Sequence, residues 1–155
     1  MYLLSYIKFT AILIIITNAL THSLGIHHIK ADLQASKAET VMYDYWITRN
    51  PFASFHAAAL CNFGEATMGL AIFRFIEANK GLRAIPTRLE IEFIKKAKGT
   101  LKGVCLLPEG LGSAVRNADV ELVTEITDAS GDVVCRVLGN WRISTGIKLA
   151  TLKSD

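Results

Sequence analysis

The sequence predicts one α+β domain in which an antiparallel sheet curls around a single long apolar helix. Three observations predict it: the chain length, one long run without a polar face, and flanking segments that alternate between apolar and polar residues. The 155 residues, 51% hydrophobic and 20% charged, suffice for one ordinary domain that buries a core without metals or disulfides. Strands before and after one buried helix require a sheet that curls to cover it.

The predicted central helix begins near His56 and runs to Phe73. It has no polar face at helical period and carries one charge in its interior, Glu65. A helix that is apolar on all sides is buried on every side. Pro51 ends the preceding strand, because proline has no amide donor and holds Asn50 outside the helical region.

Six strand-like segments flank this helix. The two before it are rich in β-branched and aromatic residues. Two segments after it, Leu89–Phe93 and Val120–Ile126, alternate between apolar and polar residues, as strands with one solvent-exposed face do. This pattern predicts antiparallel neighbours. The predicted strands are Ile26–Leu33, Glu39–Thr48, Ala84–Lys95, Thr100–Leu107, Val115–Thr127 and Val133–Ser144, with a hairpin turn at 128–132.

The predicted domain spans residues 26–148 and is followed by a tail at 149–155, while residues 1–25 form a separate segment. This segment contains the apolar run Phe9–Ile16, which is too short for a spanning helix of about 20 apolar residues. Met1–Ser5 lacks the basic residues of a signal peptide. The sequence therefore favours an N-terminal helix packed on the domain or on a partner subunit, no stable membrane span and a cytoplasmic protein. A signal or membrane-associated segment over residues 1–20 is the alternative.

Charge and cysteine content exclude several classes of function. The net charge is +3, and no basic run is longer than Lys95–Lys98, which disfavours an extended nucleic-acid surface. Three cysteines without a C-x-x-C or Cys/His spacing disfavour a disulfide framework and a zinc site. We therefore expect a reducing compartment, no nucleic-acid partner and no metal.

The segment Asn50–Ala58, with Glu65 nine residues after His56, resembles the Asn-to-His-Gly-Gly-to-acid signature of the hotdog thioesterases related to the phenylacetate-pathway enzymes. The most similar branch is an uncharacterised one, the domain of unknown function DUF4442. The run Leu89–Gly99 is similar to the family's strand that ends in a basic turn. The resemblance covers about residues 26–146.

The resemblance implies a hotdog fold and hydrolysis of an acyl-CoA or other acyl thioester, with CoA as part of the substrate and no separate cofactor. Such hydrolysis needs a nucleophile or base and a donor aimed at the carbonyl oxygen. Glu65 is the implied acid, which either attacks directly or activates water. The backbone N–H of Ala57 at the helix start is the implied carbonyl donor. His56 and Asn50 would orient the substrate or water.

In the family's dimers the acid of one subunit faces the helix start of the other, so the resemblance implies a homodimer; a tetramer also stays open. Ala57 and Ala58 replace the usual glycine pair, and their methyl groups narrow the space beside the carbonyl. A non-catalytic dimer that binds acyl groups or acyl-CoA, or a purely structural dimer, is therefore the alternative function. We expect the basic turn to hold the CoA phosphates through Lys95, Lys96 and Lys98.

Each candidate residue also has a structural interpretation. Glu65 could form a buried ion pair with Arg74 or with an arginine of a strand. An unpaired acid in an apolar helix is more often functional, so we favour the catalytic role. His56 and Asn50, taken alone, are ordinary residues for a helix start and for a loop.

Overall fold

The computed structural model describes residues 26–32, 36–109, 111 and 117–145. Six strands form one antiparallel sheet in the order β1-β2-β4-β5-β6-β3, which curves around one long helix, α1. In chain order the elements are β1 (Ile26–Asp32), β2 (Lys37–Met42), a 3-10 turn (Trp46–Thr48), α1 (Ala57–Ala78), β3 (Leu82–Phe93), β4 (Leu101–Leu106), β5 (Ala118–Thr127) and β6 (Val133–Thr145). The predicted α+β class, with a sheet curled around one helix, is confirmed.

One face of α1 packs directly on the sheet, and glycines set how closely it approaches. A Cβ placed on Gly64 would lie 2.3 Å from Val137 Cγ2, and one placed on Gly103 would lie 3.0 Å from Thr67 Oγ1 of the helix. Helix and sheet therefore touch where side chains are absent. The buried residues of this helix face are Ala59, Leu60, Phe63, Gly64, Thr67, Met68, Ala71, Ile72 and Phe75.

The opposite face of α1 is only partly buried, so the prediction of a helix buried on every side is wrong for the single chain. Its partly exposed residues include Asn62, Glu65, Gly69 and Phe73. The reason is geometric, because one sheet covers one side of a helix. α1 also has the length and mean hydropathy, 1.2, of a membrane-spanning helix, but half of that stretch is buried, as in the core helix of a folded domain.

The second strand was predicted to reach Thr48 but ends at Met42. Asp44 accepts a hydrogen bond from Gly99 N–H at 2.9 Å and pairs with Arg49 Nε at 2.6 Å, which turns the chain away from the sheet. Thr48 Oγ1 then donates to Tyr45 O within the 3-10 turn. These contacts override the strand propensity of the aromatic residues in this segment.

The remaining boundaries differ from the predicted ones at the ends of elements. α1 continues past Phe73 to Ala78, where Asn79 Nδ2 donates to Phe75 O at 2.9 Å. Pro86 is tolerated in β3 because β3 is an edge strand, which bulges after it. The predicted N-terminal helix at 1–25, the end of the domain near residue 148 and the tail at 149–155 lie outside the described residues.

Candidate functional site

Glu65 lies in the middle of α1, on the partly exposed face. Its carboxylate forms no hydrogen bond or ion pair with any described residue. Partial burial raises the pKa of Glu65, because the charged form loses contact with water. The pairing with Arg74 is wrong, since Arg74 Nη1 instead contacts Glu77 Oε2 at 2.8 Å. Glu65 is therefore a partly desolvated acid in an otherwise apolar helix.

Cys61 lies one helical turn before Glu65. Burial, and then the charge of Glu65, raise the pKa of the Cys61 thiol. A thiol is a nucleophile only as thiolate, so Cys61 is not poised to attack. Burial also raises the pKa of Cys105 and of Cys135 to about 12. Among the cysteines and Glu65, the carboxylate is thus the group available for chemistry near neutral pH.

Two further buried polar groups were missed by the sequence reasoning. Asn62 Oδ1 and Trp141 Nε1 are buried and have no hydrogen-bond partner among the described residues. A Cβ placed on Gly69 would lie 3.9 Å from Glu65 Oε1 and 3.8 Å from Trp141 Cη2, so the carboxylate and the indole border one space. Asn62 could have been found from its spacing, three residues before Glu65 on one helical face. No local sequence pattern points to Trp141, because it lies next to the helix only once the sheet has formed.

The start of α1 is built by His56. Its Nδ1 accepts a hydrogen bond from Ala58 N–H at 3.2 Å, so His56 is the N-cap of the helix. Ala57 N–H occupies the first helical position and has no acceptor among the described residues. The helix start therefore offers one open donor in the place where the helix dipole favours negative charge.

Asn50 shapes the loop that leads into the helix. Its Oδ1 accepts hydrogen bonds from Phe52 N–H at 2.9 Å and Ser54 N–H at 3.2 Å, and its Nδ2 donates to Phe55 O at 3.3 Å. These local bonds engage both polar atoms of the amide. The geometry thus gives Asn50 the structural role that an Asn in a turn often has.

The acid and the open donor are far apart within one chain. Glu65 and Ala57 are eight residues apart on α1, which corresponds to about 12 Å along a helix axis. One small carbonyl group cannot contact both of them at once. A site that uses both must therefore take the acid from one chain and the helix start from another.

The basic turn lies beside the loop before the helix, because Ala97 O accepts hydrogen bonds from Phe55 N–H and Ser54 Oγ. Lys95 Nζ pairs with Asp128 at 2.9 Å and with Asp132 at 2.5 Å. These hydrogen bonds, first that to Asp132, raise the pKa of Lys95. Lys96 and Lys98 are exposed and form no ion pair within the described residues, so they are the lysines open to an anion.

The described residues contain no group of three or more His, Cys, Asp or Glu side chains placed to hold a metal ion. The side chains and backbone amides of the site offer a defined chemistry. It consists of a carboxylate that can take a proton or attack, and an amide that can stabilise an oxyanion.

Comparisons with known proteins place the chain in a family. The family described as domain of unknown function (DUF4442) matches residues 10–143. A comparison with curated protein sequences finds no match. The match to the family model covers most of the chain and shows membership directly.

Several solved structures share the fold. A phenylacetic acid degradation-related protein from Ralstonia eutropha JMP134 is 21% identical, with 80% of this chain and 89% of that chain covered and a TM-score of 0.68. The PaaI protein of E. coli is 20% identical, with coverages of 88% and 91% and a TM-score of 0.68. Thioesterase HI1161 from Haemophilus influenzae is 15% identical, with coverages of 85% and 87% and a TM-score of 0.68. At these identities the likeness shows the fold alone. The chain belongs to the DUF4442 family, and its fold is that of the hotdog superfamily.

Proposed function

We propose that the protein is an acyl-CoA thioesterase whose site forms between two copies of the chain. The single observation that carries the proposal is Glu65, a partly desolvated carboxylate without a partner in the middle of an apolar helix. An ionisable group with a perturbed pKa on such a face marks a functional site more often than a structural one. The fold shared with thioesterase HI1161 supports the class of reaction.

The proposed chemistry uses Glu65 as base or nucleophile. As a base, the carboxylate takes a proton from water while the oxygen of that water attacks the thioester carbonyl. The carbonyl oxygen becomes negative and accepts a hydrogen bond from Ala57 N–H, and the thiolate leaves and takes up a proton. As a nucleophile, the carboxylate attacks the carbonyl and forms an anhydride that water then hydrolyses. The raised pKa of Glu65 suits both routes, because it makes the carboxylate more basic.

The second copy supplies what one chain lacks. The partly exposed face of α1 and the edge strand β3 are two apolar surfaces that the described residues leave uncovered. On β3 the exposed apolar side chains are Ile85, Leu89, Phe93 and, just beyond its end, Ile94. An uncovered edge strand with apolar side chains is a surface that a partner covers. We therefore propose an obligate homodimer in which Glu65 of one chain meets Ala57 of the other.

The CoA end of the substrate is proposed to meet Lys96 and Lys98. Lys95 is engaged by two carboxylates, so a phosphate would have to compete with both. Replacing Lys96 and Lys98 with Ala should raise KM for acyl-CoA much more than it lowers kcat. Added salt should reduce the difference in KM between the variant and the wild type, because salt screens the attraction between the lysines and the phosphates. A short thioester without the nucleotide is the control. If the variant lost as much activity on this substrate as on acyl-CoA, the result would contradict a contact between these lysines and the CoA phosphates.

The second candidate function is acyl-CoA binding without turnover. It is favoured by the methyl groups of Ala57 and Ala58, and by the use of Ala58 N–H to cap the helix. Replacing both residues with Gly discriminates the two functions. A rise in turnover would show that the methyl groups limit catalysis, whereas tight acyl-CoA binding without hydrolysis in both proteins would favour the binding role.

The proposal is tested by incubating the protein with a panel of acyl-CoAs and a thiol-detecting dye. Glu65→Gln keeps the shape of the side chain and removes both nucleophile and base. We expect a loss of turnover of about 100-fold or more, at the level of a general base, with the melting transition retained. A Gln variant that keeps most of the wild-type rate would contradict the role of Glu65.

A further inference from the structure

Gly69 is a glycine that neither the backbone nor the packing of the described residues requires. The part of the chain that the structure describes contains seven glycines. Three of them have a positive φ, and at three others an added Cβ would lie less than 3.0 Å from another side chain. Gly69 belongs to neither group, because it lies inside α1 and the atom nearest to an added Cβ is 3.8 Å away. Since glycine inside a helix is less stable than alanine, another cause must favour it here.

The absent side chain leaves a notch in the partly exposed face of α1, beside the acid of the proposed site. An added Cβ on Gly69 would lie 3.9 Å from Glu65 Oε1 and 3.8 Å from Trp141 Cη2. Trp141 is 5% exposed, so the edge of its ring forms a fixed floor of the notch. A carboxylate at one side and an apolar ring below suit a ligand with a polar end and an apolar body.

Phe73 continues the notch along the helix. Glu65, Gly69 and Phe73 follow one another at intervals of four residues, so they lie in one row on this face of α1. In the opposite direction from the acid lies Asn62, whose amide is polar. An apolar group that starts at the carboxylate is therefore favoured in the direction of Gly69 and Phe73.

The other end of a thioester substrate leaves the acid in a different direction. The basic turn bonds to the loop just before the helix start, so Lys96 and Lys98 lie near Ala57 of their own chain. In the proposed two-chain site these lysines belong to the chain that supplies the amide, and the CoA extends toward that chain. The row that begins at Glu65 belongs to the chain that supplies the acid, and it is left for the acyl group.

We propose that the notch at Gly69 binds the acyl group of the thioester, and that this group is an apolar chain longer than acetyl. The inference rests on the proposed function, because Glu65 fixes the position of the carbonyl. The acyl chain lies against the helix backbone at Gly69, with apolar contacts to Trp141 and Phe73. Gly69 lies about 6 Å along the helix axis from Glu65, so an acetyl group ends short of the notch and a hexanoyl chain crosses it. The second copy, which covers this face in the proposed dimer, closes the notch from outside.

Substitutions of Gly69 test the acyl notch through substrate range and stability together. Gly69→Ala should raise the melting temperature by about 2–4 °C, because alanine favours the helix. It should also lower kcat/KM for hexanoyl-CoA but not for acetyl-CoA. Gly69→Leu fills more of the notch and should lower the ratio of kcat/KM for hexanoyl-CoA to that for acetyl-CoA by about tenfold or more. A glycine with a merely structural role would leave this ratio unchanged.

The matched control is Ala78→Leu, which places the same side chain at the exposed end of α1. This variant should keep the wild-type ratio between the two substrates. A fall in the ratio equal to that of Gly69→Leu would mean that the notch is not its cause, and would overturn the proposal.

Trp141 reports on the occupancy of the notch without turnover. The chain has two tryptophans, so Trp46→Phe leaves Trp141 as the only indole. Glu65→Gln is added to the same chain to prevent hydrolysis. Hexanoyl-CoA should then change the emission of Trp141, whose ring edge borders the notch, whereas CoA alone should leave it unchanged. Gly69→Leu in this background should abolish the response.

The outcomes separate the acyl notch from the proposed function. Hydrolysis by the wild type with an unchanged substrate ratio in Gly69→Leu would overturn the notch and support the thioesterase. No hydrolysis by the wild type, with a Trp141 response to hexanoyl-CoA that Gly69→Leu abolishes, would contradict the thioesterase and support the notch. An equal loss on both substrates together with a change of oligomeric state in Gly69→Leu would mean that the second copy fills the notch. That result would also overturn the proposal.

Discussion

The two faces of α1 are built on different principles. The face toward the sheet is fitted in shape and in hydrogen bonds: Gly64 lies against Val137, and Thr67 bonds to Thr40. The outward face has no such partners, and its polar groups, Asn62 and Glu65, are left without hydrogen bonds among the described residues. The difference separates what holds the domain together from what is available for chemistry. A substitution should therefore affect stability on the first face and activity on the second.

The largest stability contrast is expected between two glycines of the same helix. A Cβ at Gly64 would lie 2.3 Å from Val137 Cγ2, so Gly64→Ala should destabilise the fold by about 1–3 kcal/mol through overpacking. At Gly69 the nearest atoms are 3.8 Å away, so Gly69→Ala should stabilise the helix by about 0.5–1 kcal/mol. Urea unfolding measures the free energy of unfolding of both variants. If the two substitutions changed it in the same direction, the result would contradict the proposed difference between the faces.

A smaller effect is expected from the buried threonine pair. Thr40 Oγ1 and Thr67 Oγ1 are 2.5 Å apart, and Thr67 Oγ1 also donates to Phe63 O at 2.8 Å. Because the proton of Thr67 is used in that bond, Thr40 must be the donor to Thr67. Thr67→Val should therefore cost about 1–3 kcal/mol, since it orphans a buried donor. Thr40→Val should cost less.

The double variant completes this test. With both hydroxyls replaced by methyl groups, no buried donor is left unpaired, and stability should recover part of the Thr67→Val loss. Additive losses in the urea-unfolding cycle would show that the pair is not coupled.

On the outward face we expect a small effect on stability with a defined dependence on pH. Burial raises the pKa of Glu65 above its ordinary value of 4.5. At a pH between the ordinary pKa of the unfolded chain and the raised pKa of the folded chain, the folded chain binds more protons than the unfolded chain. The free energy of unfolding therefore falls as the pH rises through this window. Glu65→Gln should melt slightly higher than the wild type at pH 8, and the difference should vanish below pH 4.5. A Gln variant that is less stable at pH 8 would indicate a stabilising partner for the carboxylate.

The two faces also differ in how far the sequence predicts them. The helix and the sheet follow from local patterns, and Glu65 stands out because it is the one charge within an apolar run. The end of β2 at Met42 depends on the contact between Asp44 and Gly99, and the position of Trp141 depends on the register of β6. Such contacts join residues that are distant in sequence, and no local pattern encodes them. The bond from Ala58 N–H to His56 likewise depends on a side-chain geometry that residue spacing does not specify.

The central claim is that Glu65 of one chain and Ala57 N–H of another form one site, and two inactive variants can test it. Glu65→Gln removes the acid. Ala57→Pro removes only the amide donor, because proline fits the first helical position and His56 before it is already extended, with φ −67° and ψ 139°. Both variants should fold, and each alone should lose most of its acyl-CoA hydrolysis. Far-UV circular dichroism provides the control for folding.

The decisive measurement is the hydrolysis rate after equal amounts of the two variants are mixed and allowed to exchange subunits. Half of the dimers should then be mixed, and each mixed dimer should contain one site with both Glu65 and the Ala57 amide. We predict recovery to about a quarter of the wild-type rate. A mixture that stays inactive although subunit exchange is demonstrated would contradict a site shared between two chains.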